Sequence, residues 1–129
     1  MNNKRILLVD DDPHTRYVLY VYLRARHYDV FLAGHASTSI PAAESCEPDL
    51  IVLDLGLPDG SVFHVMERFR AKDRLAAIPI IALSTCDRRD EKDCILEAGV
   101  RAVLEKPVVK DELFRVIRQI LGNVATECD

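Results

Sequence analysis

Five side chains capable of chemistry follow short apolar runs in this chain. Asp10 and Asp11 come after Lys4–Val9 (KRILLV), and Asp54 after Leu50–Leu53 (LIVL). Ser84 comes after Ile80–Leu83 (IIAL), and Lys106 after Val100–Glu105 (VRAVLE). Three carboxylates brought together repel, which raises the pKa of some of them unless a cation joins the group. Clustered oxygen ligands without Cys or His select a hard divalent ion, of which Mg²⁺ is the natural choice. Such a site keeps several waters and accepts a phosphoryl oxygen in place of one. Lys106 would supply a point charge and Ser84 a hydroxyl donor, both suited to phosphoryl oxygens. An aspartate beside Mg²⁺ and Lys is a candidate nucleophile for an acyl phosphate. Taken singly, each residue has a plainer reading. An Asp pair after a strand caps a helix, Asp54 or Ser84 serves a turn, and a Lys before Pro is a solvated charge. Their joint occurrence matters only if the fold brings them to one place.

The elements that must do so can be read in order. Lys4–Val9 is the first strand, and Asp12–Pro13 starts a helix, with Asp as the cap and Pro at the first helical position. Val18, Leu19, Val21, Tyr22 and Leu23 recur at helical spacing, and the helix fades near His27. Asp29–Ala33 is a second strand. A weaker helix between Thr38 and Cys46 contains Pro41, so a late start or an irregular course is expected. Leu50–Asp54 is a continuous apolar run, read as a strand buried on both faces, and Leu55–Gly60 supplies a turn. A helix from Ser61 to about Ala71 places Val62, Val65, Met66 and Phe69 on one face. Ile78–Leu83 is a fourth strand ending in Ser84–Thr85, and Asp87–Asp90 is a polar loop. The next helix runs to Ala98 and stops at Gly99 as a left-handed cap. Val100–Glu105 is the fifth strand. A last helix, Lys110–Leu121, turns Leu113, Val116, Ile117, Ile120 and Leu121 to the core, and Gly122 ends it.

This βα order, five times over, predicts an α/β fold: a (βα)5 doubly wound, flavodoxin-like three-layer sandwich. Right-handed crossovers favour a parallel sheet of order 2-1-3-4-5. Strands 1, 3, 4 and 5 are then neighbours, so Asp10, Asp11, Asp54, Ser84 and Lys106 converge on the carboxyl edge of the sheet, where open α/β folds bind ligands.

The 129 residues read as one domain, 1–122, with a short C-terminal tail, 123–129. A composition 49% hydrophobic and 29% charged is that of a globular chain. The net charge of −4 provides no basic stripe for direct nucleic-acid binding. No apolar run approaches the ~20 residues that cross a bilayer, so no membrane span is expected. Met1–Arg5 is charged but no apolar segment follows, which leaves no secretion signal and points to the cytoplasm. Cys46, Cys86, Cys94 and Cys128 form neither a CxxC pair nor a zinc cluster, and read as free thiols. His14, His27, His35 and His64 are scattered over expected surfaces and are not taken as catalytic.

With these residues in place the sequence resembles the receiver domain of two-component response regulators. The resemblance rests on Val9–Asp10–Asp11, on Leu53–Asp54–Leu55–Gly56–Leu57–Pro58–Asp59–Gly60, on Ser84, on Leu96–Glu97–Ala98–Gly99 and on Lys106–Pro107. It spans about Lys4 to Leu121, with Asp54 placed 43 residues after Asp11 and Lys106 52 after Asp54. The resemblance implies that Asp54 accepts a phosphoryl group from a phosphohistidine on a sensor histidine kinase or histidine phosphotransfer protein. It implies that Asp10, Asp11, Asp54 and the backbone carbonyl of Gly56 hold Mg²⁺. It also implies that Ser84 and Lys106 bind the phosphoryl oxygens, and that the Lys106–Pro107 bond is cis. The chain would then be a phosphoacceptor that assists its own phosphotransfer and autodephosphorylation, not an enzyme in its own right. Phosphorylation would draw Ser84 inward with the Thr85–Asp90 loop and switch a surface for an output partner or a homodimer. The implied surface is the helix 4–strand 5–helix 5 face, with Val100, Val103 and Val109 as apolar contacts.

The sequence departs from the family pattern at Val103, where most receivers carry Tyr or Phe three residues before the Lys. Gly56 and Cys86, each two residues beyond a site residue, are not equipped to orient an attacking water. The chain is expected to be a stand-alone receiver or one excised from a larger protein. The alternative is a pseudo-receiver that docks proteins without being phosphorylated. An Asp-nucleophile phosphatase would need a second Asp where Gly56 stands. A flavin carrier would need a Ser/Thr/Gly-rich loop where Asp10–Asp12 stand.

Overall fold

A computed structural model of the chain describes residues 3–57, 61–85 and 91–122. The expected turn residues Pro58–Gly60, the polar loop Asp87–Asp90, Cys86 and the tail 123–129 lie outside these. The strands are β1 (Arg5–Val9), β2 (Asp29–Ala33), β3 (Leu50–Asp54), β4 (Ile80–Ser84) and β5 (Ala102–Glu105). The helices are α1 (Pro13–Ala25), α2 (Ala36–Cys46), α3 (Val62–Arg70), α4 (Asp73–Ala76), α5 (Lys92–Glu97) and α6 (Lys110–Leu121). All strands are parallel, in the order β2-β1-β3-β4-β5. This is the (βα)5 doubly wound architecture the alternation predicts.

The unbroken apolar runs fill both faces of the sheet. Leu7, Val9, Ile51, Leu53, Ile80 and Ala82 point to one side, where Ile40 and Ala43 of α2, Val65, Met66 and Phe69 of α3, Leu75 of α4 and Ile95 of α5 cover them. Ile6, Leu8, Leu50, Val52, Ile81, Leu83 and Leu104 point to the other, under Leu19 and Leu23 of α1 and Leu113, Phe114, Val116 and Ile117 of α6. Each fully buried Leu, Ile or Phe contributes about 1.5–3 kcal/mol. The central strands therefore form a densely packed base for a site at their carboxyl ends.

Local chemistry sets the boundaries. Asp12 caps α1, accepting from the backbone N–H of His14 and Thr15 and from the Thr15 hydroxyl at 2.6 Å. Ser61 caps α3 by accepting from Phe63 N–H at 3.2 Å. Gly99 adopts φ +112°, the left-handed stop expected after α5. The structure also differs from the sequence expectation. Helix α2 does not start late: it begins at Ala36 and carries Pro41 in its interior. Pro41 is exposed, and burial of Ala36, Ser39, Ile40, Ala43 and Cys46 on the opposite side outweighs the one lost helical hydrogen bond. A one-turn helix, α4, unexpected from the sequence, buries Leu75 between α3 and β4. On α6, Phe114 joins the core, whereas Ile120 and Leu121 are only partly buried. No helix among the described residues is long and apolar enough to cross a membrane.

Candidate functional site

The carboxyl edge of the sheet brings the predicted residues together. Asp54 is the last residue of β3 and Ser84 the last of β4, while Asp10 and Lys106 directly follow β1 and β5. Register does the positioning: Asp54 lies beside Leu83, Ser84 beside Glu105, and Lys106 N–H donates to the Ser84 carbonyl at 2.7 Å. Asp10, Asp11 and Asp54 each offer a carboxylate oxygen within 4.8 Å of the other two. Lys106 Nζ lies 3.1 Å from Asp10 Oδ2 and 3.2 Å from Asp54 Oδ1. Asp10 is completely buried, Asp54 nearly so at 6% exposure, and Asp11 is exposed.

Asp10 is held on several sides. Its N–H donates to the Ala33 carbonyl at 3.1 Å, which ties it to the end of β2. Its carbonyl accepts from Arg16 Nη1 at 2.9 Å, and its Oδ1 accepts from Asp12 N–H at 2.9 Å. Oδ2 is buried, and the Lys106 ammonium stands 3.1 Å from it. Burial pushes the Asp10 carboxyl above the ordinary 3.8. The Asp54 charge adds to this, and the Asp12 amide and Lys106 oppose it. For Lys106 burial works against the charged form, but the Asp10 and Asp54 carboxylates outweigh it and hold the ammonium above the usual lysine range. Two buried carboxylates share one lysine, and the exposed Asp11 adds a third negative charge. That excess of carboxylate over lysine fits a hard divalent cation.

The other expected residues fall as follows. Gly56 N–H donates to Asp54 Oδ1 at 3.0 Å, and a Cβ at Gly56 would touch that oxygen at 3.5 Å, so the glycine leaves Asp54 open to approach. The Ser84 hydroxyl donates to the Thr85 carbonyl at 3.0 Å. Lys106–Pro107 is cis. Asp12 serves α1, and its Thr15 hydrogen bond holds its carboxyl below the usual range. His14, His27, His35 and His64 are all exposed. Cys46 and Cys94 are free thiols. Of the three valines expected on an output surface, only Val109 is exposed, at 60%. Val100, just before β5, is buried in the core, and Val103 of β5 is partly buried against the same cluster. Those two are corrected to core residues. Arg16, which grips the Asp10 carbonyl, was not legible as a site residue. Its contact is to backbone, and nothing in the pattern of side-chain types marks it.

Two cavities flank this framework. A groove of about 190 Å³ runs beside Lys106, between Thr15, Val18 and Tyr22 of α1 and the Pro107–Val108 segment. A larger one, about 470 Å³, lies between α2 and α4, is rimmed by the Glu44–Lys72 and Glu47–Arg74 ion pairs, and contains no site residue.

Comparison with known proteins agrees with this geometry. The profile for "Response regulator receiver domain" matches residues 6–118. The chain is 33% identical over 117 residues to the DNA-binding dual master transcriptional regulator RpaA of Synechocystis sp., covering 91% of this chain and 48% of that protein. It is 29% identical to Protein PilH of Pseudomonas aeruginosa, covering 92% of this chain and 98% of that one. The chain thus spans about half the length of some curated relatives and nearly all of others. Among solved structures, the receiver domain of sensor histidine kinase PA1611 from Pseudomonas aeruginosa has a TM-score of 0.84 and 30% identity. The match covers 95% of this chain and all of that one, and that structure has a magnesium ion coordinated in its active site cleft. A putative response regulator from Chloroflexus aurantiacus superposes with a TM-score of 0.87 at 26% identity, covering 95% of this chain and all of that one.

Proposed function

The chain belongs to the response regulator receiver domain family of two-component systems, and from that premise we propose that Asp54 accepts a phosphoryl group from a phosphohistidine. An Asp54 carboxylate oxygen attacks the phosphorus, the P–N bond breaks, and the electron pair stays on the imidazole nitrogen, which takes a proton from solvent. The product is an acyl phosphate on the last residue of β3. The observation that carries the reading is the pair of buried carboxylates, Asp10 and Asp54, closed around one lysine, with an Asp11 oxygen within 4.8 Å of both.

Asp10, Asp11, Asp54 and the Gly56 carbonyl are the groups that would hold Mg²⁺. Bound there, the ion supplies positive charge to the oxygens of the incoming phosphoryl group. Lys106 is already 3.2 Å from Asp54 and needs little motion to pair with a phosphoryl oxygen. Ser84 must turn its hydroxyl away from the Thr85 carbonyl to donate to one. Phosphorylation adds about −1.5 to −2 of charge, which is what draws that donor inward. The segment after Ser84 follows, and the face of α5, β5 and α6 changes shape for an output partner or a second copy. With Val103 in place of a ring, the signal runs through that backbone rather than through an aromatic rotamer. The donor is a sensor histidine kinase or a histidine phosphotransfer protein in the cytoplasm. The chain is a phosphoacceptor that assists its own phosphotransfer and autodephosphorylation, not an enzyme with a separate substrate.

The test is the rate of phosphorylation by acetyl phosphate with Mg²⁺ and with EDTA. The wild-type chain gains the group only with Mg²⁺, and Lys106→Ala and Ser84→Ala each slow it on the order of 10²-fold. Equal rates with and without Mg²⁺, or in both variants, would overturn the assignment.

A further inference from the structure

We propose that Arg16 is a positioning residue for the metal site, acting through the main chain of Asp10. The inference rests on the reading of Asp10, Asp11 and Asp54 as Mg²⁺ ligands. Asp11 is the exposed member of that set. Among the described residues its carboxylate makes no hydrogen bond or ion pair, so its place is set by its backbone. That backbone is fixed one residue earlier. A peptide unit is planar, so a bond to the Asp10 carbonyl fixes the plane that also contains the Asp11 nitrogen. Arg16 Nη1 makes that bond at 2.9 Å, from the second turn of α1, while the Asp10 N–H is tied to Ala33. Removing Arg16 takes away the bond that holds the Asp10 carbonyl and spreads the Asp11 oxygens over a wider volume.

Gly34 is a second, independent sign that the guanidinium has a reserved place. Its φ is not in the left-handed region, so its backbone does not call for glycine. A Cβ there would stand 3.0 Å from Arg16 Nη1, closer than ordinary contact. The loop after β2 is therefore bare where the arginine passes, and a methyl group at Gly34 makes the guanidinium give by a few tenths of an ångström and strains its bond to the Asp10 carbonyl without removing its charge.

Charge and position make opposite predictions. Arg16 is permanently cationic, so if it acted only as a charge, deleting it would tighten the binding of Mg²⁺. If it acts by holding the Asp10–Asp11 peptide, deleting it weakens binding, by roughly 10-fold for the loss of a partner that orients a metal ligand. The experiment is calorimetric titration of Mg²⁺ into the wild-type chain, Arg16→Ala, Gly34→Ala and the double variant, with metal-free melting curves for each. The expected result is about 10-fold weaker binding in R16A, a smaller loss in G34A, and no further loss when G34A is added to R16A. Binding in R16A equal to or tighter than wild type overturns the proposal. So does a double variant that loses the full factor of each change, since the two positions would then act separately. Should R16A melt too low to titrate, G34A decides alone, and unchanged affinity there overturns the proposal. A wild-type chain that binds no Mg²⁺ overturns the metal reading itself, a failure distinct from wild-type binding that R16A leaves untouched.

Discussion

Asp10 is completely buried, and this sets how the site responds to pH. Burial raises its pKa above the ordinary 3.8, so the folded chain holds the Asp10 proton more tightly than the unfolded chain does. The stability this contributes is fully present below about 3.8 and is lost as pH rises through the folded pKa. Without metal, the burial of Asp10 therefore costs stability at neutral pH relative to acid. Asp10→Asn is predicted to melt above the wild type in EDTA at neutral pH, and the gap closes on acidification. Saturating Mg²⁺, at 100 times its Kd, stabilises the wild type by about 2.7 kcal/mol and the variant by much less. Thermal melts with and without Mg²⁺ check both statements, and a metal-free variant that melts below the wild type at neutral pH contradicts them. The five site residues were legible because each is a polar side chain that breaks or follows an apolar run. Arg16 was not, since a side chain that serves a backbone carbonyl leaves no mark in the sequence. Val100 and Val103 were misjudged for a related reason: apolar residues at and just before a strand serve core and surface alike, and only the packing around them decides.

At the scale of elements, helix starts and stops were largely readable and helix interiors less so. Asp12, Ser61, Gly99 and Gly122 mark ends by local chemistry that a sequence displays directly. Helix α2 overrode its own Pro41, because tertiary burial of Ile40 and Ala43 is worth more than one backbone bond. Phe114 was missed as core since it sits beside the expected apolar stripe of α6. It packs there with the Arg26 guanidinium 4.3 Å from its ring centroid. Gly99 has a double constraint. Its φ of +112° suits only glycine, and a Cβ there would overlap the Arg70 guanidinium reaching over from α3. Gly99→Ala is predicted to cost about 1–3 kcal/mol, measured by chemical denaturation. Adding Arg70→Ala relieves the overlap but not the backbone strain, so only part of the loss returns. Full recovery in the double variant would place the whole effect in the overlap.

The whole molecule follows from alternating buried strands and one-sided helices, which is why the order β2-β1-β3-β4-β5 is legible in the sequence. Parallel register then carries every strand's carboxyl end to one edge, so the acids and the lysine, distant in sequence, meet without a dedicated loop to collect them. Asp54 is the one acid at that edge that belongs to a central strand, stands beside Lys106, and has a glycine two residues on that keeps its oxygens accessible. The central claim is that this carboxylate is the phosphoacceptor. The most direct test is to incubate the chain with Mg²⁺ and acetyl phosphate, reduce the product with borohydride, and sequence the peptides by mass spectrometry. An acyl phosphate on aspartate is converted to homoserine, and the account predicts homoserine at position 54 alone and none in Asp54→Asn. Homoserine at position 10 or 11 in the wild type, or a phosphoryl group that persists in Asp54→Asn, would contradict it.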